Sequence, residues 1–311
     1  MTTRREHLKR AAVRTGTMAC VLGAGTLGLL KGDPLGSAWE ARKILLRRIL
    51  RQEFHKGLSY YVGGKGQPVV FIHGLSDYGG SWMETIALMR ERCRVIVIEL
   101  PGHGDSDEPN ERSMAAVLQG VETLLDLLIP THQKAILVGN SMGGWAALHY
   151  ALARPERVAH KILINSAGHP YEPDRELLMP TSREAMMTKI QTLMGPDRMP
   201  PPLPGVFIDA LMTLATPFQN ALIDGITLED FPSPGDFKQL ARLALPTTIL
   251  WGEHDRIFPL EYAQAFFELF PHAHVIQRAN WGHGPHMSHP GELAAALDFV
   301  VGPYARSWRV G

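Results

Sequence analysis

The residues Gly139-Asn140-Ser141-Met142-Gly143-Gly144 follow the apolar run Ala135 to Val138 and precede the helix-forming stretch Trp145 to Leu152. Strand, sharp turn and helix in that order lift one serine hydroxyl clear of the backbone. Glycines two positions to either side let strand and helix pass without a Cβ clash. A serine hydroxyl is a weak nucleophile that needs a base, and the base needs an orienting acid. Both follow downstream in the order acid, then histidine. Leu250-Trp251-Gly252-Glu253-His254-Asp255 places Asp255 after an apolar run as the expected acid, with Glu253 and Asp230 as lesser candidates. The competing role for Asp255 is a cap on the following helix. His283, preceded by Gly282 and followed by a final helical stretch, is the expected base.

Attack by Ser141 on a carbonyl would build charge on its oxygen, and backbone N–H donors must be waiting for it. Met142, directly after the serine, supplies one. The second is expected from Leu75 in His73-Gly74-Leu75-Ser76, where Gly74 permits a tight turn after the run Val69 to Ile72. His283, His286 and His289 recur at a spacing of three, but no Asp, Glu or Cys joins them in sequence, so no metal or other cofactor is expected. His286 is expected to help shape the site, and His289 before Pro290 to open the last helix. Cys93 reads as a small buried thiol at a strand entrance, and Cys20 lies in the N-terminal leader. Two cysteines make no disulfide framework.

Short β-branched runs at 58–62, 68–72, 94–98, 135–138, 161–164, 247–251 and 274–277 alternate with helical patterns at 83–90, 113–129, 145–152, 260–270 and 291–300. Near-continuous apolar strands separated by helices predict an α/β chain with a mostly parallel, doubly wound sheet covered on both faces. Reactive groups then belong at the strand C-termini. The rhythm breaks over 169–237, a Pro- and Met-rich interval with helical pieces at 182–193 and 207–214, which predicts an inserted helical cap. The core is expected as 57–168 and 238–311.

As a set, His73-Gly74, Pro101-Gly102-His103-Gly104, Gly139 to Gly143, Trp251-Gly252 with Asp255, and Gly282-His283 resemble the α/β-hydrolase superfamily over residues 57–302. The resemblance implies the α/β-hydrolase fold and a Ser141, His283, Asp255 triad. It also implies loop-organising roles for His73, Gly74, Gly139 and Gly143. Serine in the nucleophile slot separates the chain from the dehalogenase and epoxide hydrolase branches, which carry Asp there. Within the serine branch it is similar to carboxylesterases and monoacylglycerol-lipase-like enzymes, and also to meta-cleavage-product hydrolases that break C–C bonds. The latter usually carry a glycine-rich loop after His-Gly and a Trp after the catalytic His, where this chain has Leu75-Ser76-Asp77-Tyr78 and Gly284. The expected activity is therefore ester hydrolysis on a lipid-like small molecule. C–C hydrolysis and a non-catalytic binding role stand as alternatives. A charged cap would favour a carboxylate-bearing C–C substrate and an apolar one an ester.

The 311 residues carry 31 Lys and Arg against 31 Asp and Glu, but the balance is uneven. Residues 1–60 hold 12 basic against 4 acidic side chains, and the rest hold 19 against 27. The body has no basic run or aromatic-interleaved basic patch, which argues against nucleic acid as a partner. The leader, 1–38, opens with Arg4, Arg5, Lys9, Arg10 and Arg14, continues uncharged from Thr15 to Leu30 and closes at Lys31. Thr3-Arg4-Arg5-Glu6-His7-Leu8-Lys9 is similar to the twin-arginine export consensus, with His7 in place of the aromatic. Export to the periplasm and an uncleaved membrane-associated leader are both expected readings. A basic amphipathic helix is predicted over 39–56, suited either to an anionic lipid surface or to packing on the body.

Overall fold

The computed structural model describes residues 34–200, 203–213 and 216–307. The apolar runs become the strands of one eight-stranded sheet. They are Arg51–His55 (β1), Leu58–Gly63 (β2), Pro68–Ile72 (β3), Arg94–Ile98 (β4), Ala135–Asn140 (β5), Val158–Ile164 (β6), Thr247–Gly252 (β7) and His274–Arg278 (β8). Their spatial order is β1-β2-β4-β3-β5-β6-β7-β8. The first two strands pair antiparallel and every contact from β4 to β8 is parallel. β3 and β5 are neighbours although the chain leaves them in opposite directions, so the crevice beyond their C-terminal ends is open to a ligand.

The runs in β3, β4 and β5 are apolar on both faces because helices cover both. The N-terminal helix Pro34–Arg47 (α1), Met83–Met89 (α2), Met114–Leu128 (α3) and Met142–Ala153 (α4) belong to the first half of the chain. Ser113 caps α3 by accepting from the Ala116 N–H, as its place before the apolar run predicts. α4 is apolar nearly all round, and nine of its residues are buried between the sheet and its neighbours.

Between β6 and β7 lie Arg175–Leu178 (α5), Arg183–Met194 (α6), Gly205–Met212 (α7), Pro217–Gly225 (α8) and Pro234–Arg242 (α9). They fill the interval over which the sequence predicts an inserted helical cap, and are called the cap. Its buried Leu177, Phe218 and Leu222 belong to the same apolar cluster as Val70, Leu137 and Trp145 of the body. Cap and body therefore share a core. Leu260–Glu268 (α10), the short Pro285–Ser288 (α11) and Pro290–Ser307 (α12) complete the chain. Among the described residues no single helix is long and apolar enough to cross a membrane.

The N-terminal segment differs from a single helix over 39–56. α1 ends at Arg47, and Arg51–His55 leaves it to become β1, an eighth strand absent from the sequence reading. The cause is local: Lys56 and Gly57 both take left-handed φ, 50° and 77°, and close the tight hairpin that pairs β1 with β2. α1 packs on the body. Its Ala41 and Leu46, and Leu50 in the turn after it, are buried there, while Ile44 is exposed. Arg42 pairs with Glu84 and donates to the carbonyls of Gly80 and Ser81, and Lys43 pairs with Asp105. The leader's residues 1–33, with Cys20, lie outside the described residues.

Arg42→Ala would leave the Glu84 carboxylate, only 13% exposed, without its partner and remove one donor each from the Gly80 and Ser81 carbonyls. Removing one partner of a buried pair costs about 2–4 kcal/mol. Urea unfolding should show a lower midpoint with an unchanged slope.

Candidate active site

Ser141 stands between β5 and α4 at φ 55°, ψ −122°, a left-handed backbone that costs a residue with a side chain about 1–2 kcal/mol. The neighbouring glycines make this turn possible. A Cβ on Gly139 would lie 2.4 Å from the Gly143 carbonyl oxygen, and one on Gly143 would lie 2.2 Å from that of Ile72. The Ser141 N–H donates to the Ile164 carbonyl, and its own carbonyl accepts from Gly144, Trp145 and Ala167. Four backbone bonds thus hold the strained residue in place.

The loop after β7 brings Asp255 to His283, with Oδ2 2.7 Å from Nδ1 and both side chains buried. Asp255 Oδ1 accepts from the Ile257 and Phe258 N–H groups at 2.9 Å each. The capping role that competed in sequence is thus filled by the same carboxylate: one oxygen organises the turn and the other faces the imidazole. Glu253 is exposed. Asp230 lies in the cap and bonds Thr227, away from His283.

His283 is held by groups outside the serine, acid and histidine positions. The Asn140 side chain donates to the carbonyls of Ile164 and His283, at 3.0 and 3.1 Å. Asn165, at φ 42°, donates to the carbonyls of Gly282 and His283 at 2.9 Å, and its oxygen accepts from the Gly252 N–H. The His283 N–H donates to the Thr192 carbonyl in α6. The signal for both asparagines was a carboxamide at the end of an apolar strand, where a buried polar group demands partners.

The loop after β3 carries Leu75 to the same place. Gly74 approaches so closely that a Cβ there would lie 3.0 Å from Ser141 Cβ. Met142 is the first residue of α4, where the N–H has no intrahelical acceptor. His73 is fully buried. Its Nε2 accepts from the Leu100 N–H at 3.1 Å, so Nδ1 carries the proton and donates to the Gly74 carbonyl at 2.8 Å. Burial keeps its pKa below the ordinary histidine range. It ties the loop after β3 to the loop after β4. Glu99, another residue that the motifs did not mark, joins in by accepting from the N–H groups of Gly79 and Asp105.

The three late histidines diverge to three separate carboxylates. His283 meets Asp255, His286 meets Asp77 at 3.0 Å, and His289 meets Asp197 at 3.0 Å. His286 also stacks on Trp82, with ring centroids 4.4 Å apart. Cys93 is buried, and burial pushes its thiol up to about 12.

Ser141, Leu75 and His283 line one cavity of about 440 Å³. Its cap wall includes Leu178, Met179, Met186, Ile190 and Leu193, interrupted by Lys189 and Arg175. On the body side Asp77, Tyr78 and His286 contribute, and Trp39 of α1, stacked on Tyr78 at 4.4 Å, also lines it.

The model of the alpha/beta hydrolase family matches residues 69–296. A 2-hydroxy-6-oxo-6-(2'-aminophenyl)hexa-2,4-dienoic acid hydrolase of Metapseudomonas resinovorans is 26% identical over 254 residues, 78% of this chain and 86% of that protein. A pimeloyl-[acyl-carrier protein] methyl ester esterase of Vibrio cholerae is 26% identical over 244 residues, 74% of this chain and 92% of its own. Among solved structures, a membrane phospholipase A described as a bacterial virulence factor superposes with a TM-score of 0.73 at 22% identity. That alignment covers 92% of this chain and 96% of the other.

The Asp77 carboxyl lies below the usual carboxylate range: burial alone would raise it, and the hydrogen bond and charge of His286 outweigh that. A depressed carboxyl stabilises the fold above its unfolded pKa and loses that contribution as pH falls through its folded value. Asp77→Asn should therefore cost about 1–3 kcal/mol at pH 7. Paired urea titrations should show the gap to wild type closing below about pH 4.

Proposed function

Because the chain belongs to the alpha/beta hydrolase family, we propose that it hydrolyses carboxylic esters of small, lipid-like molecules through Ser141, His283 and Asp255. The observation that carries this reading is the buried Asp255–His283 pair facing the same cavity as the strained Ser141. His283 takes the Ser141 proton as the hydroxyl attacks the ester carbonyl. Asp255 holds the Nδ1–H tautomer and stabilises the imidazolium. The N–H groups of Leu75 and Met142 receive the developing oxyanion, a contribution of about 3–4 kcal/mol per donor in comparable sites. His283 then protonates the departing alkoxide, and water, activated by the same imidazole, releases the acid.

The Leu- and Met-rich cap wall supports an acyl chain over a small polar group. Lys189 and Arg175 in that wall support the second reading, C–C hydrolysis of a carboxylate-bearing substrate, and the family contains both chemistries. We also propose that residues 1–33 take the chain to or across a membrane. The support is the Arg4-Arg5 pattern and the uncharged stretch behind it.

Assayed on p-nitrophenyl esters and monoacylglycerols of increasing chain length, the protein should favour medium or long chains. Ser141→Ala should lose at least about 10³-fold in kcat. Labelling of Ser141 by a fluorophosphonate without turnover of any ester would shift the assignment to C–C substrates, and absence of labelling would favour a binding role. For the leader, replacing Arg4 and Arg5 with Lys should trap the chain in the cytoplasmic fraction if a twin-arginine route carries it. An uncleaved anchor would instead keep both forms in the membrane fraction.

A further inference from the structure

The cavity-facing stripe of α6 is Met186, Lys189, Ile190 and Leu193, at i, i+3, i+4 and i+7 on one side of the helix. Three of the four are apolar, and the fourth is a lysine. The last turn of this helix is fixed to the catalytic histidine's loop, since Thr192 and Leu193 carbonyls accept from the N–H groups of His283 and Gly284 at 2.8 and 2.9 Å. Lys189 therefore stands about one helical turn, roughly 5 Å, above the segment that carries the base. Its Nζ donates to the Leu178 carbonyl at the end of α5. An ammonium has three donors, and one is used there.

The surroundings leave this cation without a counter-charge. Arg175, the other basic side chain on the wall, is paired with Asp224. Asp77, the carboxylate on the cavity wall, is engaged by His286. Among the described residues Lys189 meets no carboxylate. Burial draws its pKa down to about 8, so it is charged at neutral pH at a solvation cost that no acidic partner offsets. A methionine or leucine would complete the stripe and cover the cavity without that cost. The bond to Leu178 does not require a charge, since a neutral N–H donor can also serve a carbonyl.

We propose that Lys189 is a specificity residue that binds an anionic group, carboxylate or phosphate, carried by the substrate away from the scissile bond. The inference rests on the ester-hydrolase reading for what is cleaved and is independent of it for what is bound. An acyl chain along Met186, Ile190 and Leu193 would bring its charged end to the Lys189 ammonium while the carbonyl lies at Ser141. The anion supplies the missing counter-charge and occupies the free donors.

The test is calorimetric binding to Ser141→Ala protein, with and without Lys189→Gln. The probes are monomethyl suberate, monomethyl sebacate, octyl phosphate and the neutral dimethyl suberate. Glutamine keeps a side-chain N–H donor, one bond shorter than the lysine's, and removes the charge. The expected result is roughly 10- to 100-fold weaker binding of the anionic probes in Lys189→Gln, the range for a charge-assisted hydrogen bond, with the neutral diester within about 2-fold. Dependence for the carboxylates alone or for the phosphate alone supports the site and names its anion. Equal losses for charged and neutral probes, or none, overturn it. Should Lys189→Gln fail to fold, the Ser141→Ala protein with Lys189 intact decides: it must bind the monoesters more tightly than the diester, and equal or reversed affinities overturn the proposal. Turnover of the same esters by the Ser141 protein is scored separately, so failure to cleave counts against the esterase reading alone.

Discussion

The backbone of residue 283 is the point on which the rest of the site depends. Its carbonyl accepts two carboxamide N–H groups, from Asn140 at the end of β5 and Asn165 just beyond β6. Its N–H is taken by the cap through Thr192, and its imidazole by Asp255 from the loop after β7. Four segments far apart in sequence thus fix one histidine. None of these bonds is worth much net of solvation, but each involves a buried group that is costly to leave unpaired. The arrangement is specified because partial satisfaction is worse than either extreme.

The same logic explains where strain is tolerated. Ser76, Ser141 and Asn165 all have positive φ and all surround the cavity or its histidine. Each is held by hydrogen bonds to residues outside its own turn. Ser76 Oγ donates to Gln219 of the cap, Ser141 has its four backbone bonds, and Asn165 has its carboxamide partners. A residue kept in an unfavourable conformation by surrounding contacts points to function, and three around one cavity make that inference stronger than any alone.

Much of this was legible in the sequence, for identifiable reasons. The strand–serine–helix stretch reads clearly because its glycines are demanded by backbone clashes that only glycine avoids, as at Gly139 and Gly143. Asp255 and His283 follow from order and loop position, and the parallel strands from their uninterrupted apolar runs. β1 did not read as a strand. Arg51-Gln52-Glu53-Phe54-His55 is an edge strand with mostly polar side chains, so it lacks the apolar run, and the basic residues before it extend a helical pattern through it. Asn140, Asn165 and Glu99 were likewise hidden, since their roles are bonds to distant backbone groups and no local periodicity encodes those. The pairing of His286 with Asp77 spans 209 positions and has no sequence signal at all.

The cap and His283, the base in the proposed mechanism, are one mechanical unit. α6 supplies the apolar wall through Met186, Ile190 and Leu193, and its last turn holds the backbone of His283 and Gly284. Asp197, three residues past that helix, reaches His289 at the far end of the same segment. A cap that shares its core with the body and is bonded at both ends of the histidine segment cannot shift as an independent lid without moving the base. Changes in the shape of the wall are therefore transmitted to the position of His283, and in the proposed mechanism displacements of about 1 Å there matter. In the proposed mechanism substrate fit and alignment of His283 both fall to the same helix, so substitutions along its stripe should alter kcat together with KM.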